Sequence, residues 1–404
     1  MTTIDAGHVR SVEAEHVLQV YKRIPLVLVR GEGSWLFDAD GARYLDLLSG
    51  IGVASLGHAH PGLAQAISAQ AAELIHTSNL FFHPLQGEVA AKLTAMSGLD
   101  RVFFSNSGTE AVEACLKFAR RYWYTQGERA RTGIVAFERS FHGRTFGSLS
   151  VTSGATYREP FAPLVPGVTF VSPDDPVALR KAVTTGTAAI IVEPIQGEGG
   201  VWPISAEMAD AICTAQSETG TLLIADEIQC GLGRTGRPFY SPTAGLKPDL
   251  MALGKALGAG VPVGAALLAE RVAAAVAFGD HGSTYGGNLL ACRAALVFLE
   301  ALETGLAERV ERAGARLEGG LRSIASAHRE ISDIRGSGLI WGLDVEERVA
   351  ERMVQTALDN GLIINRTAGT VIRLLPPLTI SDADIDEGIT RLRAAFDTAI
   401  AEAT

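Results

Sequence analysis

Disulfide chemistry is the first thing this sequence does not provide for. Its 404 residues hold four cysteines, Cys115, Cys213, Cys230 and Cys292, far apart and without a C-x-x-C pair. Neither a disulfide framework nor a zinc site is expected, and the thiols read as reduced core residues of a cytoplasmic protein. A basic excess is missing too: 35 Lys plus Arg face 45 Asp plus Glu, a formal charge of −10, which argues against a nucleic-acid partner. The 44 glycines show no three-residue period, and no internal repeat or low-complexity linker divides the chain, so collagen-like architecture is excluded. Met1 to Val20 is polar with mixed charge and lacks the apolar stretch of a secretory signal. One long apolar run exists, Leu250 to Ala269, and it contains Lys255 and Pro262. A charge inside such a span makes bilayer insertion costly, so the run reads as buried core and no membrane partner is expected.

What is present is an ordinary globular balance, 47% hydrophobic and 20% charged, in a chain long enough for two or three cores. Trp35 to Asp46 alternates around Asp38-Ala39-Asp40-Gly41, which predicts a β-hairpin. Wholly apolar runs follow at Val102–Phe104, Ile134–Phe137, Val168–Val171, Ala189–Val192, Leu222–Ala225 and Leu250–Leu253, as expected of parallel strands buried on both faces. Amphipathic helices are predicted between them: Thr109 to Trp123 puts Val112, Cys115, Leu116, Ala119 and Trp123 on one face, and Ser205 caps a helix ending at Gly220. This βαβ series predicts an α/β fold, a three-layer αβα large domain with a mostly parallel sheet, over about residues 56–300. Beyond about Asn288 the texture is helical, ending in a helix capped by Ser381 with Ile385, Ile389, Leu392, Phe396 and Ile400 on one face. With a strand pair near Gly338–Leu343 and Val371–Leu374, residues 301–404 read as a smaller α+β domain, on which the N-terminal segment 1–55 is expected to pack.

Ligands of parallel α/β sheets collect at the C-terminal strand ends. After Val102–Phe104 comes Ser105-Asn106-Ser107-Gly108-Thr109-Glu110, a helix start able to cradle an anion or simply to cap itself with Ser107 or Thr109. After Leu222–Ala225 comes Asp226, a carboxylate that needs a cation or several donors; an ion pair with an arginine would serve equally well. Lysines are scarce, six against 29 arginines, and Lys255 is the one flanked by apolar residues and glycine on both sides. Desolvation lowers a lysine pKa and frees a nucleophilic amine near neutrality. The Phe141-His142-Gly143-Arg144 turn offers a ring for stacking. An anion cradle, a buried carboxylate and a desolvated lysine together match pyridoxal 5′-phosphate. His58 and His60 are left as structural, His142 is given no chemistry, and Arg120, Arg121, Arg129 and Arg131 with their aromatic neighbours read as a solvated helix end.

On Leu56 to Pro61, Ser105 to Ala111, Phe141 to Thr145, Glu193 to Glu198, Asp226 to Gly236, Gly282 to Asn288 and Arg373 to Pro377, the sequence resembles the class III, ornithine/acetylornithine-type aminotransferases, from about Tyr21 to Pro377. The resemblance implies the pyridoxal-phosphate fold-type I architecture, with Lys255 joined covalently to the cofactor and later moving the proton. Asp226 would face the pyridine nitrogen, Gln229 the phenolic oxygen and Phe141 the ring. Ser107, Gly108, Thr109 and Glu193 would complete the cofactor contacts, with Thr284 contributed by the neighbouring subunit of a homodimer. Arg373 would hold an α-carboxylate, Arg144 a second carboxylate, and Glu198 would neutralise Arg373 between them; Tyr21 and Ser283 would also line the substrate side. The implied reaction moves the terminal amine of N2-acetylornithine to 2-oxoglutarate, in arginine biosynthesis. The same chemistry on ornithine, succinylornithine, acetyllysine or 4-aminobutyrate is the alternative, with an aminomutase-type isomerase or an inactive binding module further off. Cys230 stands where the family often has threonine. Ile51 stands where the ornithine branch has tyrosine, which argues against free ornithine.

Overall fold

The computed structural model describes residues 4–403, so Met1 to Thr3 of the polar N-terminal stretch, and Thr404, lie outside the described residues. The N-terminal alternation gives three antiparallel strands, β1 (Leu28–Glu32), β2 (Trp35–Asp38) and β3 (Arg43–Asp46). Asp38 accepts the amides of Asp40 and Ala42 at 3.0 and 2.8 Å and so fixes the expected turn.

The apolar runs become β4 (Arg101–Ser105), β5 (Gly133–Phe137), β6 (Val168–Val171), β7 (Thr187–Val192), β8 (Leu222–Asp226) and β9 (Leu250–Leu253). Every residue of β7, β8 and β9 is buried, the property that lets a strand dispense with alternation. A further strand, β10 (Gly264–Leu268), went unread in the sequence. It completes a seven-stranded sheet in the order β4-β10-β9-β8-β7-β5-β6 and runs antiparallel to both neighbours. The long apolar run Leu250 to Ala269 is therefore two strands of this sheet, with Lys255 in the turn between them. Among the described residues no helix is long and apolar enough to cross a membrane.

Helix α1 (Gly108–Thr125) covers one face with Val112, Cys115, Leu116, Ala119 and Trp123 buried as expected. On the other face lies α2 (Ala206–Thr219), capped by Ser205 and stopped by the left-handed Gly220. Arg131 departs from the expected solvated helix end. It is buried, lies 3.5 Å from the Trp123 ring and donates to the carbonyls of Thr187 and Thr219. The expectation of core thiols is met by Cys115, Cys230 and Cys292, but not by the half-buried Cys213.

Beyond α3 (Ala307–Ala327) come β11 (Ile331–Ser337), β12 (Ile340–Val345), β13 (Leu362–Ile363), β14 (Asn365–Thr367), β15 (Val371–Leu374) and α4 (Asp382–Ala403). Four of them form a sheet in the order β11-β12-β15-β14. β13 instead pairs in parallel with β3, and the Trp35 indole donates to Asp384 on α4 at 2.9 Å, so the N-terminal strands pack against C-terminal elements. On α4, Ile385, Leu392 and Phe396 are buried and Ile389 and Ile400 partly so.

Candidate active site

Parallel register brings the first two groups together. Asp226 ends β8 opposite Ala252 of β9, so the chain beyond β9 leaves the sheet beside it and Lys255 follows one turn later. Lys255 itself has a left-handed backbone, φ +40°, a costly conformation for a residue with a side chain. Both residues line a cavity of about 240 Å³ together with Gly108, Thr109, Phe141, His142, Arg144, Glu193, Glu198 and Gln229.

At the anion cradle, Ser107 is the cap: its hydroxyl accepts the Glu110 amide at 3.3 Å, while the Glu110 carboxylate accepts the Asn106 amide at 2.6 Å. The amides of Gly108 and Thr109 have no hydrogen-bond acceptor among the described residues. The Thr109 hydroxyl lies 2.6 Å from the Ser148 hydroxyl and accepts the Arg144 amide at 3.3 Å. A side chain on Gly108 would press on Ile228, whose Cδ1 lies 2.8 Å away and would have to shift, so glycine lets the helix start this close to the β8 end.

Asp226 has a partner that sequence reasoning missed. The His142 Nδ1 donates to Asp226 Oδ2 at 2.7 Å, and Asp226 Oδ1 accepts the Ile228 amide at 3.1 Å. His142 is buried and its Nε2 has no partner among the described residues. Burial works against its charged form, but the Asp226 hydrogen bond and the negative charges of Asp226 and Glu193 prevail and raise its pKa. The two residues are 84 positions apart, so nothing local in the sequence announces the pair. Glu193 accepts the amides of Phe141 at 3.0 Å and Gly197 at 3.3 Å. Burial, helped by Asp226 and opposed by His142, pushes its carboxyl up to about 7.

The Lys255 amine makes no hydrogen bond or ion pair among the described residues. Burial lowers its pKa, with Glu198 opposing and Arg373 reinforcing the shift. Asp226 and Glu193 add smaller opposing contributions. The amine therefore loses its proton more readily than a solvated lysine.

Above this floor lies a second charged group. Arg373 on β15 is fully buried; its Nη1 donates to the Glu198 carboxylate at 2.7 Å and to the Gln229 side-chain Oε1 at 3.1 Å. Its Nε donates to Asn365 at 3.3 Å, and its buried Nη2 has no partner among the described residues. Burial would raise the Glu198 carboxyl, but Arg373 and Lys255 together hold it below the usual range. Thr367 donates to the Glu198 carbonyl at 2.6 Å and anchors the loop. Arg144 lies over the Tyr157 ring at 3.9 Å and the Phe141 ring at 5.6 Å.

Four of the residues singled out are not brought to this cavity within the chain. Tyr21 is 73% exposed, and Ile51 is exposed with φ +65°. Thr284 is exposed, and Ser283 lines a different recess beside Phe82 and Phe103. Ser107 stands just behind the cradle. His58 Nε2 donates to Asp46 Oδ2 at 2.8 Å, and His60 caps a helix by accepting the Leu63 amide at 3.1 Å.

Comparison with known proteins shows the family. A family model described as class-III aminotransferase matches residues 17–396. The acetylornithine aminotransferase of Methanocaldococcus jannaschii is 43% identical, the match covering 95% of this chain and 97% of that one. The crystal structure of the ornithine aminotransferase of Toxoplasma gondii ME49 superposes with a TM-score of 0.94 at 33% identity, covering 99% of this chain and 97% of that one. An amine transaminase from an uncultivated Pseudomonas species, solved in its PLP-bound form, gives 0.88 at 31% identity, covering 95% and 97%.

Proposed function

Since this chain belongs to the class-III aminotransferases, we propose that it moves the terminal amine of N2-acetylornithine to 2-oxoglutarate, giving N-acetylglutamate 5-semialdehyde and glutamate in arginine biosynthesis. The family is pyridoxal-phosphate dependent, and the residues present fit that group. Two amides without acceptors, on Gly108 and Thr109, suit a phosphate at a helix start. Asp226 offers a carboxylate beside the unpaired amine of Lys255, and Phe141 and Gln229 line the same cavity. Bound there, the cofactor supplies an aldehyde for the lysine and an electron-withdrawing ring.

In this reading Lys255 holds the cofactor and afterwards moves the proton, which its lowered pKa favours. Asp226 faces the ring nitrogen, its carboxylate oriented by the His142 donor. Arg373 receives an α-carboxylate, bidentate recognition that lysine would not reproduce, and Arg144 receives a second one. The single observation that carries the proposal is the Arg373–Glu198 pair at 2.7 Å, whose Glu198 lines the cavity of Lys255 with the guanidinium buried behind it. Glu198 neutralises the guanidinium while the amine donor is bound and gives way when a substrate carboxylate replaces it. Such a switch suits a two-substrate enzyme better than an isomerase. The acetylornithine branch is supported by the relatives' names and by apolar Ile51.

We further propose a homodimer, in which Thr284, Ser283 and Tyr21 complete the partner's cavity. Leu80, Phe81, Phe82, Phe278 and Tyr285, all strongly exposed, supply an apolar surface of the kind that subunits cover. Division into segments 1–55, 56–300 and 301–404 belongs to the same reading, as does a cytoplasmic location, which four unpaired cysteines support.

The test is a titration of the holoenzyme with N2-acetylornithine, ornithine, succinylornithine, acetyllysine and 4-aminobutyrate, each without keto acid, following the cofactor's visible absorbance. N2-acetylornithine is expected to react fastest, with 2-oxoglutarate restoring the starting spectrum. A preference for 4-aminobutyrate or ornithine, or no recovery with 2-oxoglutarate, sinks the assignment. A monomer in sedimentation at working concentration would sink the shared site.

A further inference from the structure

A second recess, of about 590 Å³, lies apart from the cavity of Lys255, between α3, β12 and the Thr235–Tyr240 loop. That is the size of a small-molecule site, and the aminotransferase reaction does not use it. We propose that this recess binds a free α-amino acid as a zwitterion, and that its occupancy changes the grip of Arg373 on substrate.

The rim fixes the charge of the ligand. Arg237 pairs with Glu311 at 3.3 Å and Arg322 with Glu318 at 2.7 Å, and all four side chains are at least a third exposed. Exposed pairs of this kind hold together weakly, so both can open. An anion would engage the arginines and leave two glutamates facing it; a cation would meet the reverse. A zwitterion uses both signs: its carboxylate takes a guanidinium and its ammonium takes a glutamate. The walls suit the remainder of an amino acid. Ile334 and Trp341 present apolar surface. Thr235, itself buried, has a hydroxyl without a partner among the described residues, an unmet hydrogen-bonding group of the kind that native structures rarely leave idle.

Communication with the active site follows from strand register. On β12, Trp341 pairs with Leu374 and Gly342 with Arg373 of β15. The wall of the recess is thus bonded directly to the strand that carries the substrate arginine. Arg234, next to Thr235, donates to the carbonyls of Leu339 at 3.1 Å and Pro376 at 2.5 Å, so the same loop grips that strand pair at the end where Trp341 meets Leu374. A ligand that spreads or tightens the recess bears on Arg373 through these bonds.

The experiment is calorimetric titration of the holoenzyme with each of the common L-amino acids, run beside the cofactor's visible spectrum. Ala315 lines the recess from an exposed position on α3, so Ala315→Trp fills it without touching the catalytic cavity. In the unaltered enzyme at least one amino acid should bind once per chain without changing the spectrum and shift the KM for 2-oxoglutarate by about fivefold or more. Both effects should vanish in Ala315→Trp at unchanged basal kcat, and Thr235→Val should weaken binding by about tenfold. Absence of any such binding at millimolar concentration, or binding undiminished in Ala315→Trp, overturns the proposal; binding without a KM shift overturns the coupling. Because binding is read separately from turnover, a wrong amine donor would leave this result standing.

Discussion

Two charge pairs in the active cavity have the same length and opposite settings. At the floor, His142 and Asp226 meet at 2.7 Å with both side chains buried; at the gate, Arg373 and Glu198 also meet at 2.7 Å, but Glu198 keeps 33% of its side chain exposed. The floor is held by elements of the seven-stranded sheet alone, and every carboxylate there has fixed donors from backbone or histidine. Across the gate, the loop after β7 joins β15 of the smaller sheet, and the arginine keeps a buried nitrogen without a partner. A buried pair has no cheap alternative partner and stays fixed, whereas a half-open pair can exchange one carboxylate for another. Fixed charge suits the tuning of an amine and a ring nitrogen. Exchangeable charge suits selection between two substrates.

Removing the floor's amine should have the largest effect. Lys255→Ala takes away the residue proposed as both covalent anchor and proton carrier, and turnover should fall by about a hundredfold to ten-thousandfold or more. The gate does not need that amine to bind a carboxylate, so 2-oxoglutarate should still protect the protein in thermal melts. Turnover within about tenfold of the unaltered enzyme would show that the floor is not where the chemistry is done.

Titration gives the next contrast. Glu193 releases its proton at about 7 in the folded chain but near 4.5 in the unfolded one. Between those values the folded state binds more protons, so stability from this group falls as pH rises and levels off above about 7. His142, also raised, acts in the same direction: its contribution is present at low pH and lost as pH climbs through the folded value. Glu193→Gln removes the carboxyl's part. Between pH 5 and pH 8, urea unfolding of the cofactor-free chain should show the variant gaining on the unaltered protein by about 3 kcal/mol. A gap that stays constant, or moves the other way, would mean that Glu193 is ionised throughout.

The floor was also the more legible half. Ser107, Asp226 and Lys255 each follow a wholly apolar run, and a charge or hydroxyl at the end of such a run is a local signal that burial makes costly to ignore. His142 escaped because its partner is 84 residues away, and β10 because Gly260, Pro262 and Gly264 broke the run that contains it. Glu227, beside Asp226, is fully buried and accepts the Tyr240 and Ser241 amides at 3.0 and 2.5 Å, pinning the loop after β8; strand alternation sends it away from the cavity, which no residue type reveals. At the gate, Glu198 and Arg373 are 175 positions apart and carry no local pattern. They came from family resemblance, as did Tyr21 and Thr284, both exposed within one chain.

The smallest expected effect tests whether the gate is independent of the floor. Thr367 donates to the Glu198 carbonyl at 2.6 Å and is the link between β14 and the loop that carries the exchanging carboxylate. Thr367→Val keeps the shape and removes the hydroxyl. Losing one such bond costs about 1 kcal/mol, enough to loosen Glu198 without dismantling β14. Since Glu198 is proposed to stay on Arg373 while the amine is bound and to leave it for the keto acid, the change should raise KM for the amine by about fivefold and leave KM for 2-oxoglutarate nearly as it was. The floor, which makes no contact with this hydroxyl, should keep its visible spectrum. Equal changes in both KM values would mean that Thr367 merely supports the sheet, and a spectral shift would mean that gate and floor move as one unit, so that exchange at Glu198 is felt by Lys255 on every turnover.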